Sequence, residues 1–188
     1  MKPPKFLATT IHDYLTEQQA NSDLNDNFWK WFGDSKVTKN NKPLAVYHGT
    51  TKKFDKFDKS KQIFGHHGKG FYFGDKNYAQ NYYGKDYISV YLKIDNLFDL
   101  YAYYTIDDIK KIFGNELCKV ENIIEEELQY SDTIQGYLFY TIAGNDKLRK
   151  AGYDGLKHDY VYVVFEPNQI KSVENDGSWD INDDNIYS

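Results

Sequence analysis

Apolar and polar positions change their period several times along the chain, and each change marks an element. Residues 9–20, T-T-I-H-D-Y-L-T-E-Q-Q-A, carry Ile11, Tyr14 and Leu15 on one helical stripe behind Thr9 or Thr10 as cap, which predicts a short helix. Asn21-Ser22-Asp23 breaks it. L-N-D-N-F-W-K-W-F-G then predicts a second helix with an aromatic face, stopped at Gly33. Residues 37–43 predict a turn, and L-A-V-Y-H (44–48) a buried strand ending at Gly49 and Thr50. A polar, Lys-bearing connection fills 51–69. G-F-Y-F-G (70–74) predicts the next strand, and Asp75 caps a helix over 76–83 that stops at Gly84. Residues 87–94 alternate, with Ile88, Val90, Leu92 and Ile94 on one face, as a strand does.

Residues 97–150 are expected to be mostly helical. T-I-D-D-I-K-K-I-F-G is a capped amphipathic helix, E-N-I-I-E-E-E-L and T-I-Q-G-Y-L-F-Y-T-I are two more, and Asn145 or Asp146 caps a short one ending at Gly152. Y-V-Y-V-V-F (160–165), closed by Pro167, is the clearest strand. The tail is turn-rich. No internal repeat is visible. The fold class is therefore α+β, with short strands around a central helical insertion.

A length of 188 residues fits one domain, 24–188, behind a helical extension over 1–23. The core must be built from aromatics and branched aliphatics: Tyr, Phe and Trp make up 18% of the chain, with one Met and one Cys. The net charge of −5 is spread in both signs, so no global basic field marks a nucleic-acid binder. Lys52, Lys53, Lys56, Lys59 and Lys61 cluster locally; this is first a solvated loop, with phosphate binding the alternative. Cys118 stands alone, which excludes a disulfide framework and a paired-cysteine metal site. The first residues lack the apolar core of a signal peptide. No apolar run reaches the roughly 18 residues that span a bilayer. A cytoplasmic protein without membrane contact is expected.

Three stretches could carry chemistry. In Y-H-G-T (47–50) the strand ends in His48, and Gly49 lets another molecule approach the backbone; alone, the histidine is more simply a strand-end cap. In G-K-G-F-Y-F-G-D (68–75) Phe71 and Phe73 share one face and Tyr72 takes the other. Either the strand is buried on both sides, or Tyr72 stacks on a planar ligand. In A-Q-N-Y-Y (79–83) Ala79 and Tyr82 share a helix face.

In this order, His-Gly-Thr, Gly-x-Gly-x-Tyr-Phe and Ala-x-x-Tyr resemble the ADP-ribosyltransferase fold, in the branch of diphtheria toxin and the poly(ADP-ribose) polymerases. F-W-K-W-F-G-D-S-K-V, K-P-L-A-V-Y-H-G-T, G-Y-D-G-L and Y-V-V-F-E-P-N-Q-I-K-S look like the ADP-ribosyltransferase domain of phage polyvalent proteins, and so does the ending G-S-W-D-I-N-D-D-N-I. The resemblance runs from about residue 24 to the end, leaving out 97–150. It implies a split β-sheet core and NAD as the substrate. It implies that His48 bonds ribose hydroxyls, that Gly49, next to Thr50, holds the carboxamide, and that Tyr72 and Tyr82 sandwich the nicotinamide beside Ala79. Lys61 or Lys69 would meet phosphate.

One position departs from the pattern. The family places a glutamate just before the last strand's Tyr-x-Val-Phe run, where its charge stabilises an oxocarbenium-like transition state. Val161 stands there. Asp159 is the expected substitute, two residues earlier on the same strand face and so about 6–7 Å away. Tyr160 and His158 are weaker alternatives, Glu166 falls on the opposite face, and Gln169 belongs to a structural ending. The resemblance then implies mono-ADP-ribosyl transfer, with a host protein as the expected partner and a nucleic-acid target still open. A degenerate NAD- or ADP-ribose-binding module and an NAD glycohydrolase are the alternatives. No metal is required. Residues 1–23 and the insertion would carry partner choice, while Glu125-Glu126-Glu127 is expected to be a solvated helix face.

Overall fold

The computed structural model describes residues 24–83 and 86–188, with the backbone alone for Ile63, Phe64, Tyr82 and Tyr83. The expected helix over 9–20 and the stop at Gly84 lie outside the described residues.

The chain opens with helix α1 (Asp26–Phe32), whose first turn is capped by the Asn25 side chain bonded to the Phe28 N–H. Residues expected as a plain turn form a small hairpin, β1 (Thr38–Lys39) and β2 (Lys42–Pro43). Asn40 and Asn41 make its tip at φ 53° and 60°, a left-handed conformation asparagine tolerates better than most residues. Strand β3 is Val46–Gly49. The connection after it holds β4 (Ile63–Gly65), which pairs back on β5 (Gly68–Phe73). Then come α2 (Lys76–Tyr83) and β6 (Tyr87–Leu92).

The segment expected to be a helical insertion also contains strands. β7 (Leu97–Asp99) joins the main sheet, and β8 (Tyr103–Thr105) pairs with β9 (Thr133–Gln135). The helices are α3 (Ile106–Phe113), closed by a capping box between Thr105 and Asp108, α4 (Glu121–Glu127) and α5 (Gly136–Lys150). α5 breaks at Gly144, φ 62°, where the sequence places the boundary between two helices. β10 (Gly155–His158), β11 (Val161–Val164) and β12 (Ile170–Ser172) complete the described strands. β4, β7, β8, β9, β10 and β12 were not anticipated, because three or four residues leave too little alternation to see.

Two sheets form the centre. One has the order β4-β5-β11-β10-β7 and the other β12-β6-β3. They touch where Tyr47 of β3 exchanges backbone hydrogen bonds with Gly74, just past β5. This is the expected α+β core split between two sheets. Between the sheets Phe71 and Phe73 pack with Val46, Val90, Leu92 and Val164. On the far side of the larger sheet Tyr72, Val161 and Val163 pack with Phe98, Ile109 and Phe139 of the 97–150 segment. The aromatic triplet is thus explained by burial on both faces. Behind the smaller sheet, Phe28, Trp31 and Phe32 of α1 clasp Tyr91 and Trp179.

Two polar side chains fasten these layers. Gln169 accepts from the Phe165 and Glu166 N–H groups and donates to the Lys93 and Asp154 carbonyls, the structural role expected of it. Lys171, fully buried, donates to the carbonyls of Asp183 and Asn185 and ties down the tail. Gly70 admits close contact: a Cβ there would sit 2.4 Å from Val163 Cγ1 and 3.1 Å from the Val164 carbonyl oxygen.

Candidate active site

The end of β3 builds the first half of the site. Pairing of Tyr47 with Gly74 sets β3 beside β5, and His48 then reaches across to Tyr72. Its Nδ1 lies 2.8 Å from the Tyr72 carbonyl oxygen. A carbonyl can only accept, so Nδ1 carries the hydrogen. The ring is packed edge-on to Phe57, centroids 5.0 Å apart, and tilted against Phe73 at 5.4 Å. Burial lowers the imidazole pKa, and the bond to Tyr72 only partly offsets it. The neutral ring with Nδ1–H leaves Nε2 as an acceptor, the correct partner for a hydroxyl.

His48, Gly49 and Thr50 open on a cavity of about 530 Å³. Lys52, Lys53, Lys56 and Lys61 line it too. Lys56 is paired with Asp184 at 3.0 Å and Lys61 with Asp58 at 3.6 Å. Lys52 and Lys53 are exposed and have no ion-pair partner among the described residues. Lys69, expected nearby, is exposed on β5 opposite Phe64 and lines neither this cavity nor the next.

Tyr72 lines both cavities. Its hydroxyl donates to the Gly68 carbonyl at 2.6 Å and accepts from the His67 N–H at 3.1 Å, so the β4–β5 turn holds its ring. Only 5% of it is exposed, less than a free stacking platform would show. Ala79 is buried in α2 at 1% exposure and serves packing. The Tyr82 side chain lies outside what the structure describes.

The second cavity, about 550 Å³, is lined by His67, Tyr72, Tyr78, His158, Asp159 and Val161, among others. Val161 is 7% exposed and belongs to the apolar core behind the larger sheet. Asp159 is not on a strand, as expected, but in the two-residue turn between β10 and β11, at φ 54°. The pairing of His158 with Val161 forces this: two residues must reverse the chain. Asp159 and Val161 still face one cavity, through a turn rather than strand periodicity. The Asp159 side chain is 56% exposed and its Oδ2 is 4.0 Å from His158 Nε2. Glu166 pairs with Arg149 and Lys59 and lines neither cavity.

The sequence reading missed a histidine pair. His67 Nε2 and His158 Nδ1 are 3.0 Å apart, and His158 Nε2 lies 2.9 Å from the Tyr101 hydroxyl. Burial, with His158 and His66 nearby, pushes the His67 pKa down to about 4. The pair is clamped from behind: Asn145 donates to the His67 and Lys69 carbonyls at 2.7 and 3.0 Å and accepts from Tyr140 at 2.8 Å. The H-H doublet at 66–67 was visible, but nothing local ties it to a residue 91 positions away.

Among the described residues no three His, Cys, Asp or Glu side chains are grouped to hold a metal ion, and no helix is long and apolar enough to cross a membrane. Chemically, one cavity offers an imidazole acceptor with Lys52 and Lys53, and the other a carboxylate and a histidine pair; Tyr72 lines both.

A search of the curated proteins finds no match. Among solved structures, a crystal structure of an anti-CRISPR protein matches at 13% identity over 68% of this chain and 91% of its own, with a TM-score of 0.39. The family model described as ADP-ribosyltransferase in polyvalent proteins matches residues 38–180, a span that holds His48, Tyr72 and both cavities, and the chain belongs to that family.

Proposed function

We propose that the protein is an NAD-dependent mono-ADP-ribosyltransferase acting on a macromolecule, with a host protein as target and a phage or mobile element as its source. The observation that carries this reading is the fixed neutral His48 at the mouth of a lysine-lined cavity. A dinucleotide offers ribose hydroxyls, which an unprotonated Nε2 accepts, and a diphosphate, which Lys52 and Lys53 attract. Gly49 offers backbone groups for the carboxamide beside Thr50. Nicotinamide would then lie toward Tyr72 and Asp159.

In such a reaction the C1′–N bond breaks, nicotinamide leaves with the bonding pair, and positive charge gathers on the ribose. Asp159 is the carboxylate available to meet that charge. Single transfer rather than chain extension is what the resemblance implies where Val161 replaces the glutamate.

Val161 favours a second reading. A buried valine stands where the family pattern has its glutamate, and a site without a competent carboxylate would bind NAD without cleaving it. Incubation of the protein with NAD and a host lysate separates the two, with nicotinamide release and ADP-ribosylated protein as readouts. Release with a labelled band, lost in His48→Ala, supports transfer. Release without a band identifies a glycohydrolase. NAD binding by calorimetry with no release identifies the binding module.

A further inference from the structure

We propose that His67, linked through His158 to Tyr101, is the general base that removes the proton of a hydroxyl acceptor in the cavity lined by Asp159. This rests on the transferase reading above and names what that reading leaves open, the chemistry of the acceptor.

The side chains form a directional line. His67 lines the cavity, and its Nε2 meets His158 Nδ1 at 3.0 Å. His158 Nε2 meets the Tyr101 hydroxyl at 2.9 Å, and Tyr101 is 45% exposed. The line therefore begins at a cavity wall and ends in water. The Nδ1 atom of His67 has no hydrogen-bond partner among the described residues. With Nε2–H of His67 donating to His158 and Nε2–H of His158 donating to Tyr101, that Nδ1 carries a lone pair. Burial and the neighbouring histidines keep His67 neutral near pH 7; alone it is a weak base, and onward transfer through His158 to Tyr101 is what carries the proton away.

The step balances. The acceptor oxygen bonds to C1′ of the nicotinamide ribose as the C1′–N bond breaks and neutral nicotinamide leaves. The acceptor proton goes to His67 Nδ1. The His67 Nε2 proton passes to His158 Nδ1, and the His158 Nε2 proton passes to the Tyr101 hydroxyl and water. One proton is released, matching the positive charge lost from the pyridinium. An ionised carboxylate acceptor has no proton to give and would face Asp159, so the relay points to a hydroxyl.

The test uses the full chain. Nicotinamide release by the unmodified protein comes first; if none occurs, the transferase reading fails, whatever the relay does. If release occurs, His67→Gln, which keeps an amide in place of the Nε2 contact, should lower kcat about 100-fold while KM for NAD stays within about twofold. The modified protein should resist neutral hydroxylamine, as a hydroxyl linkage does and an ester does not. A kcat within about threefold of the unmodified protein, or a hydroxylamine-labile product, overturns the proposal. Should His67→Gln fail to fold, ¹⁵N NMR of the unmodified protein decides instead. An Nε2-protonated His67 supports the relay, and an Nδ1-protonated one overturns it.

Discussion

The cavities flanking Tyr72 are built in opposite ways. The His48 cavity rests on the end of β3 and its pairing with β5, with residues close in sequence. The Asp159 cavity rests on two turns and on the 97–150 segment. Its main contacts join His67 to His158 and Asn145 to His67, 91 and 78 residues apart. The first uses the motifs that carry the family resemblance. The second carries the chain's departure, Val161, and the groups that surround it. Under the proposed function, NAD binding would fall to the strand-end cavity and the chemistry of transfer to the cavity around Val161.

If that division holds, the largest effect belongs to His48. His48→Ala removes the acceptor and the bond to Tyr72, and NAD turnover should fall by about 100-fold or more. KM should rise with it, because the loss is in binding as well as in the transition state. The measurement is nicotinamide release against NAD concentration. A normal KM would break the comparison, since His48 would then not belong to the binding half.

Asp159→Asn comes next. Asparagine tolerates the left-handed turn as aspartate does, so the fold should be unaffected and only the charge removed. We expect kcat to fall about 10- to 100-fold with an unchanged melting temperature. Val161→Glu tests the same point from the other side. Burying a carboxylate at a site 7% exposed should lower the melting temperature. A gain in activity there would mean that Asp159 had not taken over the role.

How much of this was legible follows the same line. The alternation of Phe71, Tyr72 and Phe73, the His-Gly-Thr strand end and the helix over 76–83 are local patterns, and local patterns survive in a sequence. β7, β10 and β12 are too short to show a period. Asp159 was misplaced because a two-residue turn has no apolar signature, and its Asp-Tyr is not a typical turn pair. The histidine pair was invisible because topology alone brings β10 to the β4–β5 turn.

Acid should act on both cavities at once. Burial lowers the pKa of His48, and His67 is pushed down to about 4. In the unfolded chain both bind protons near pH 6.5. The unfolded state therefore holds more protons below that pH, and stability falls as pH drops from about 6.5 toward 4. The melting temperature should decline over this window, and His67→Gln should flatten the decline. His67 is partly open to solvent, so its share should be modest. A decline of equal slope in His67→Gln would mean that His67 titrates normally in the folded protein.

The smallest effect distinguishes two readings of the lysine cluster. Lys52 and Lys53 are exposed, so each contact to a diphosphate is screened and contributes about 0.2–0.5 kcal/mol. Replacing both with alanine should raise KM for NAD by about two- to fivefold at low salt, with little change in kcat. The difference should shrink as salt approaches 1 M, where the screening length falls to about 3 Å. Lys56 and Lys61 give the internal control. Their charges are already engaged by Asp184 and Asp58, so the same substitution there should move KM less. Equal effects from the two pairs would make the cluster a diffuse field, and no effect from either would make it the solvated loop that its sequence first predicts.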